Sequence, residues 1–168
     1  MIIRAENNND YSQVRAIHLA AFEGPGEATL VDQLRAKATP IISLVAMSDD
    51  NNIVGHIMIS PVGLSGHDDL NIMGLAPVAV LPEYQNKGFG SEMIRSAIKQ
   101  CQQLKFDAIV VLGHENYYPR FGFKISTEFS IRCEYDVPAE NFMVMELYEG
   151  ALTGKTGTVK YHPCFANL

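Results

Sequence analysis

The sequence has little cysteine and no long apolar segment, and both shortages narrow the class of protein. Its three cysteines are far apart and form no Cys-x-x-Cys pair, which disfavours a redox centre, so we expect structural thiols. The first residues lack the basic segment followed by a long apolar one that a signal peptide needs, and no later apolar run reaches membrane-spanning length. A cytoplasmic protein with no membrane partner is the simplest expectation.

Basic residues are also few, with 13 Lys and Arg against 19 Asp and Glu and a formal net charge of −6. This balance disfavours a nucleic acid partner, because such a surface must neutralise many phosphates, and it mildly suits a cationic one. The 168 residues, 47% of them apolar, are enough for one hydrophobic core. We therefore expect a single domain over 1–168, with 150–168 as a C-terminal extension of it.

The sequence offers little to hold a metal ion. His162 and Cys164 could form a ligand pair, but no cluster of further ligands accompanies them. We therefore predict no metal site.

The apolar periodicity and the turn residues predict alternating strands and helices. Expected helices are one capped by Asn9 or Asp10 and broken by Gly24-Pro25-Gly26, one from about Glu27 to Thr39-Pro40, and one over 88–104. The expected strands are 2–5, 41–47, 53–59, 71–81, 107–112, 130–134, 142–147 and a weak one at 158–161. Strands 41–47 and 53–59 should form an antiparallel hairpin, and strand 107–112 should run parallel to strand 71–81. A turn is expected over 63–69.

The strand over 71–81 is followed by Gln85-Asn86-Lys87-Gly88-Phe89-Gly90, which opens the third helix. Two glycines let the backbone turn closely, and a helix amino terminus presents unpaired N–H groups and a positive dipole end. This arrangement predicts a site for a phosphate-bearing ligand. Pro77 cannot donate to a ladder, so we expect a bulge or a break in pairing just before the turn.

Two other nucleotide motifs are incomplete. Gly88-Phe89-Gly90 begins like a dinucleotide fingerprint, but Met93 occupies the third glycine position. The segment from Gly150 to Thr156 resembles a phosphate-binding loop, but it has one residue too few between its glycines and no helical pattern follows. We expect a turn there.

The run Val78-Ala79-Val80-Leu81-Pro82-Glu83-Tyr84-Gln85-Asn86-Lys87-Gly88-Phe89-Gly90, followed later by Tyr118-Pro119-Arg120-Phe121-Gly122-Phe123, resembles the GNAT superfamily of acetyl-CoA-dependent N-acetyltransferases. The first motif looks like its Gln/Arg-x-x-Gly-x-Gly/Ala signature and the second like its Tyr-x-x-x-Gly-Phe element. The resemblance implies an α/β fold with a mixed sheet of about six or seven strands, about four helices and a pair of splayed parallel strands.

The resemblance also implies a site for acetyl-CoA, used as co-substrate. The pantetheine arm would hydrogen-bond the strand backbone at Val78, Ala79 and Val80. The pyrophosphate would rest on the turn and helix start, formed by Gln85, Asn86, Lys87, Gly88, Phe89, Gly90 and Ser91. Lys87 contacts phosphate or is simply a solvated turn lysine.

In the implied reaction an uncharged amine attacks the thioester and forms a tetrahedral oxyanion. The Val80 N–H would polarise the carbonyl, and Tyr118 would act as general acid toward the leaving thiolate, although a packed aromatic is the alternative for Tyr118. Asn116 is the nearest candidate for a further pantetheine contact, because the family's longer loop is absent here. Pro119 places the start of a short helix near Glu115 or Asn116.

The general base is left open among Glu23, Glu27 and His114. Each has a plain alternative: solvation for Glu23, a favourable helix dipole for Glu27, and a loop hydrogen bond for His114. The acceptor would be a small-molecule amine or a protein amino group, and a homodimer is left open. The alternative function is a non-catalytic regulatory module that binds CoA.

Overall fold

The computed structural model describes all residues from Met1 to Leu168 and contains three α-helices and nine strands. The helices are α1 (Tyr11–Ala21), α2 (Gly26–Lys37) and α3 (Phe89–Gln103). The strands are β1 (Ile2–Ala5), β2 (Ile42–Met47), β3 (Ile53–Leu64), β4 (Ile72–Val80), β5 (Ala108–Leu112), β6 (Lys124–Ile125), β7 (Ile131–Cys133), β8 (Phe142–Glu146) and β9 (Gly157–Lys160). No helix is both long and apolar enough to cross a membrane.

The chain divides into two compact units. Unit 1 comprises Met1–Ser60, Ala76–Gln100 and Pro163–Leu168, and unit 2 comprises Pro61–Leu75 and Cys101–His162.

Unit 1 contains β1, β2, the first part of β3, the second part of β4, both amino-terminal helices and most of α3. The predicted hairpin is confirmed, since β2 pairs antiparallel with β3 from Ile42 opposite Ile59 to Met47 opposite Ile53. Strand β1 pairs antiparallel with β2 on the other side. Helices α1 and α2 pack together, and their apolar faces are buried. The end of β4 joins this unit through a hydrogen bond from the Leu81 N–H to the Val54 carbonyl.

The start of the first helix differs from the sequence prediction. Asp10, one of the two expected caps, occupies the N-cap position of α1 but makes no side-chain capping bond there. Asn7 caps a short 3₁₀ turn over Asn8–Asp10 that precedes α1. Its side chain accepts from the Asn9 N–H, and the Asp10 carboxylate accepts from the Asn7 N–H. Asp10 also binds Arg4, with Arg4 Nη1 2.7 Å from Oδ2. Because both oxygens of the Asp10 carboxylate are engaged in these bonds, the side chain makes no capping hydrogen bond in α1.

Unit 2 is built around β5. Residues Ile72–Gly74 of β4 run parallel to β5, which confirms the predicted strand, turn, helix and strand order, and β8 pairs antiparallel with the other edge of β5. Strand β6 pairs with β8, and β9 pairs with β7 and with the end of β3. The core of this unit consists of Val62, Leu64, Ile72, Ala108, Val110, Ile131, Phe142, Val144, Leu152 and Val159.

Three details of the predicted architecture are corrected. Strand β3 runs to Leu64, so the turn begins later than Gly63. The helix expected to start near Glu115 or Asn116 is a single 3₁₀ turn over Tyr118–Phe121. Three α-helices are present where about four were expected. The main sheet has seven strands in the order β1-β2-β3-β4-β5-β8-β6, in agreement with the expected six or seven, and β7 and β9 lie off this path. The segment after Gly150 forms successive turns, as predicted.

Candidate functional site

The connection between β4 and α3 is an exposed turn with two left-handed residues. A 3₁₀ turn over Pro82–Tyr84 leads into it, and Asn86 and Gly88 have φ values of 62° and 90°. The residues from Gln85 to Gly88 are exposed, and a β-carbon built on Gly88 would meet nothing within 4 Å. The backbone of this turn is therefore accessible to a ligand.

Helix α3 begins directly behind this turn. Its first internal hydrogen bond runs from the Glu92 N–H to the Gly88 carbonyl, at 3.1 Å. The N–H groups of Phe89 and Gly90 precede that bond at the positive end of the helix dipole, which suits an anion. The Phe89 ring is buried and lies edge-on to Tyr84, with ring centroids 5.9 Å apart, and this contact anchors the start of the helix.

The end of β4 lies in the same unit as the turn. Val78 and Val80 are half-buried and Ala79 is buried. The side chain of Gln85 donates to the Val80 carbonyl at 3.0 Å and so ties the turn back to the strand. The parallel pairs between β4 and β5 end at Gly74, ahead of Pro77, in agreement with the predicted break in pairing. The structure thus brings together, within unit 1, the predicted donor-binding residues from Val78 to Ser91.

Lys87 lies above an aromatic ring of the same turn. Its ammonium is 5.5 Å from the centre of the Tyr84 ring, within the range of a cation–π interaction. The side chain therefore has a local partner besides solvent.

Tyr118 lies in unit 2, in the 3₁₀ turn that follows β5, among other aromatic rings. Its ring is edge-on to Tyr117 at 5.1 Å and to Phe123 at 5.8 Å between centroids. Burial, and secondarily the neighbouring Tyr117, raises the pKa of Tyr118 to about 12. The phenol is therefore protonated at neutral pH, as a proton donor must be. The other candidates from this segment, His114 and Asn116, are exposed.

The three candidate bases are not set in any polar network. Glu23 is exposed in the turn between α1 and α2, and Glu27 lies half-buried in the first turn of α2. His114 contributes only its backbone carbonyl, which accepts from the Tyr117 and Tyr118 N–H groups. None of the three side chains makes an ion pair or a side-chain hydrogen bond that would activate it.

Sequence reasoning missed a buried chain of polar side chains in unit 1, which we call the histidine chain: His18, His56, Ser43 and Glu6. His18 Nε2 lies 2.8 Å from His56 Nδ1, and His56 Nε2 lies 2.8 Å from Ser43 Oγ. Ser43 Oγ donates to Glu6 Oε1 at 3.0 Å. Both imidazoles are fully buried, and the His18 Nδ1 atom has no hydrogen-bond partner.

The charged end of the histidine chain is fixed by Arg35. Its guanidinium holds both oxygens of Glu6, with Nη2 2.8 Å from Oε2 and Nε 3.1 Å from Oε1. At the other end, burial lowers the pKa of His18 to about 4, and burial with the neighbouring His18 and Arg35 charges also lowers that of His56. Both rings are therefore neutral at pH 7. The one available signal in the sequence was His18 itself, a polar residue on the apolar face of α1.

The three cysteines are free thiols. Burial raises the pKa of Cys101 to about 12, so this thiol is inert at neutral pH. No group of three or more His, Cys, Asp or Glu side chains is arranged to hold a metal ion.

An exposed glycine turn between a strand and a long helix, in a mixed α/β fold, suits a ligand that is bound through phosphate. The family model of the acetyltransferase (GNAT) family matches residues 11–123. The chain belongs to this family. Both the family and the enzyme class predicted from the sequence are thereby confirmed.

Similar proteins cover nearly the whole chain. The uncharacterized N-acetyltransferase YhbS of Escherichia coli K12 is 33% identical over 165 residues, which are 98% of each protein. The crystal structure of YhbS from Escherichia coli in complex with CoA has a TM-score of 0.91 and 33% identity over 98% of this chain and 91% of that one. The crystal structure of a GNAT family acetyltransferase from Brucella melitensis in complex with acetyl-CoA has a TM-score of 0.79 and 33% identity, over 98% of this chain and 97% of that one.

Proposed function

We propose that this protein moves an acetyl group from acetyl-CoA to a primary amine by direct attack through a tetrahedral intermediate. The observation that carries the proposal is the exposed turn ahead of α3, with Asn86 and Gly88 in left-handed conformations, in a chain of the acetyltransferase family. Two proteins of similar fold and 33% identity are in complex with CoA or acetyl-CoA, which supports the same donor here.

The donor would bind along unit 1. Its pyrophosphate would accept hydrogen bonds from the backbone of Gln85 to Ser91, where the helix dipole favours negative charge. The pantetheine arm would pair with the backbone of Val78–Val80. The exposure of the turn and the half-burial of Val78 and Val80 are compatible with both contacts.

The transfer step needs an electrophile, an acid and a base. The Val80 N–H would stabilise the oxyanion that forms when the amine attacks the thioester. Tyr118 would protonate the departing thiolate, and its pKa of about 12 keeps the required proton in place.

The acceptor is a small-molecule amine or a protein amino group, met by residues of the α1–α2 turn such as Glu23 and Glu27, or by His114. We treat 1–168 as one catalytic domain, active as a monomer or a homodimer.

A melting experiment tests the donor site. Acetyl-CoA raises the melting temperature of the wild type, because a ligand of the native state stabilises it by mass action. Gly88→Asp abolishes the rise by placing a negative side chain at the phosphates. Gly66→Asp is the matched control, because Gly66 also has a positive φ, 80°, and an open environment. An unchanged rise in Gly88→Asp contradicts the placement of the phosphates.

The reaction itself is tested by CoA release with a panel of primary amines and amino-terminal peptides. We expect release with at least one class. A protein that binds acetyl-CoA and releases CoA with no amine would instead be a CoA-binding module.

A further inference from the structure

The hydrogen-bond direction along the histidine chain is set at its carboxylate end. Glu6 is ion-paired with Arg35 and only accepts hydrogen bonds. The single Ser43 hydroxyl proton therefore points to Glu6, at 3.0 Å, and the Ser43 oxygen is left to accept. His56 Nε2 must then carry a proton and donate to Ser43. A second Glu6 oxygen, 3.6 Å from the same nitrogen, also favours an N–H there.

The same logic fixes His18. With its proton on Nε2, His56 presents a lone pair at Nδ1, and His18 Nε2 must donate to it across 2.8 Å. His18 Nδ1 then carries a lone pair. This atom is buried and has no partner. An acceptor atom that is buried without a hydrogen-bond partner costs about 1–3 kcal/mol of stability. We therefore ask whether the free lone pair of His18 Nδ1 has a function.

An aromatic ring connects His18 with the turn between α1 and α2. The ring of Phe22, which is half-buried, stacks on the imidazole with an interplanar angle of 7° and centroids 6.0 Å apart. Phe22 directly precedes the exposed Glu23-Gly24-Pro25 turn. Phe22 thus contacts the buried imidazole and directly adjoins the exposed turn between α1 and α2.

The histidine chain is also adjacent to the strand segment assigned to the donor. Gly55 precedes His56 in β3, and a β-carbon at Gly55 would lie 3.3 Å from the Ala79 carbonyl and 2.8 Å from Met93 Cε of α3. Since neighbouring residues of a strand point to opposite faces, His56 faces α1 where Gly55 faces α3. Gly55, the residue next to His56 in β3, thus abuts the strand segment proposed to hold pantetheine.

We propose that His18 Nδ1 accepts the proton that the acceptor ammonium must lose before it can attack, directly or through one water, and that the histidine chain passes a proton on to Glu6. This inference rests on the proposed function, for which no general base has yet been assigned, and it assigns that role to His18. As one N–H bond of the ammonium breaks and leaves the uncharged amine, an N–H bond forms at His18 Nδ1. The Nε2 proton of His18 moves to His56 Nδ1, that of His56 Nε2 moves to Ser43, and the Ser43 proton moves to Glu6.

The concerted shift has a physical advantage over a single imidazole. His18 is faced by His56 from β3 and by Arg35 and Asp32 from α2, and its burial with the positive Arg35 disfavours an imidazolium. In the shift both rings stay neutral and only their tautomers change. The reverse shift, after the product has left, returns the proton to water at His18.

The first test reads the tautomers by ¹⁵N NMR of histidine-labelled protein at pH 7.5. We expect both His18 and His56 to carry the proton on Nε2 and a lone pair on Nδ1. Ser43→Ala removes the group that sets the direction and should mix the tautomers of His56. A proton on His18 Nδ1 in the wild type would overturn the inference, whether or not an acceptor has been found.

The second test compares two amines of similar shape, 2-phenylethylamine and its β,β-difluoro analogue, whose fluorines leave it largely neutral at pH 8. His18→Phe should lower kcat about 100-fold for the first amine, within the range of general base catalysis, and change it little for the second. The melting shift with acetyl-CoA should persist. Ile17→Val, a buried change on the same helix, should affect both amines equally and mildly.

An equal loss on both amines in His18→Phe would show that the residue acts through structure alone and would overturn the inference. By contrast, a wild type that releases CoA with no amine would count against the proposed function itself.

Discussion

The ring of Tyr118 lies directly against Gly113, so closely that a β-carbon at Gly113 would come within 2.7 Å of Tyr118 Cδ2 and closer still to Cε2. Both residues belong to unit 2, with Gly113 at the end of β5. The position of the phenol therefore depends on the absence of a side chain five residues earlier.

Gly113→Ala should lower kcat about 10- to 100-fold, because the added methyl group displaces the tyrosine, and displacements of about 1 Å are costly at a reacting centre. The melting shift with acetyl-CoA should be retained. Steady-state kinetics of CoA release measures the effect. Gly63→Ala is the control, since a β-carbon there meets nothing within 4 Å. Full activity in Gly113→Ala would mean that Tyr118 tolerates displacement or takes no part.

Tyr118→Phe should lower kcat by about 100-fold or more, because the thiolate then leaves without a proton donor. The wild-type phenol has a pKa raised to about 12 by burial, so it stays protonated up to that pH. The pH profile of kcat should accordingly show no decline from this group between pH 7 and 10. A decline in this interval that disappears in Tyr118→Phe would contradict the raised pKa.

Acid should destabilise the protein through the two buried histidines. Their folded-state pKa is lowered, so the unfolded chain takes up protons first, and stability is lost as pH falls from about 6.5 through the folded value. For His18, whose folded pKa is about 4, the full loss is about 3 kcal/mol. Urea unfolding at pH 7.5 and 4.5 measures it.

The double variant His18→Leu, His56→Leu should depend less on pH over this range than the wild type. His67→Gln, a change in the turn after β3, is the control and should keep the wild-type dependence. An identical dependence in the wild type and the double variant would show that other groups cause the acid loss.

Gly55→Val should reduce the free energy of unfolding by about 1–3 kcal/mol, because the new side chain meets Met93 and the Ala79 carbonyl. Met93→Ala makes room, so the double variant should be more stable than the sum of the single changes predicts, by at least about 0.5 kcal/mol. Chemical denaturation of the wild type, the two single variants and the double variant gives the four free energies of unfolding of this double-mutant cycle. Additive losses would show that Met93 is not the obstacle.

Local patterns were enough to predict the parts of the fold that depend on neighbouring residues. The hairpin of β2 and β3 follows from the Asp49–Asn52 turn cluster, and α3 from its apolar spacing and the glycine turn before it. Short elements were missed, because the two residues of β6 carry no periodicity and their pairing with β8 depends on tertiary contacts. The 3₁₀ turn at Tyr118 was mistaken for a helix start because Pro119 suits both.

The site could be predicted only where its residues are close in sequence. The residues proposed to bind the donor along the strand and the turn lie between Val78 and Ser91, and they form one recognisable motif. The histidine chain joins His18 of α1, Ser43 of β2 and His56 of β3 with Glu6, which follows β1. Nothing in the local sequence around Ser43 or His56 distinguishes them from ordinary strand residues, because the hydrogen bonds that unite them form only when the strands pair.

The single direction of the histidine chain also has an evolutionary consequence. A substitution at one member leaves a buried donor or acceptor on the next, so the positions of His18 and His56 should change together in related proteins. Apolar residues should replace both histidines or neither. We expect the pair to be kept or lost as a unit, and a homologue that has lost both histidines should use a different base.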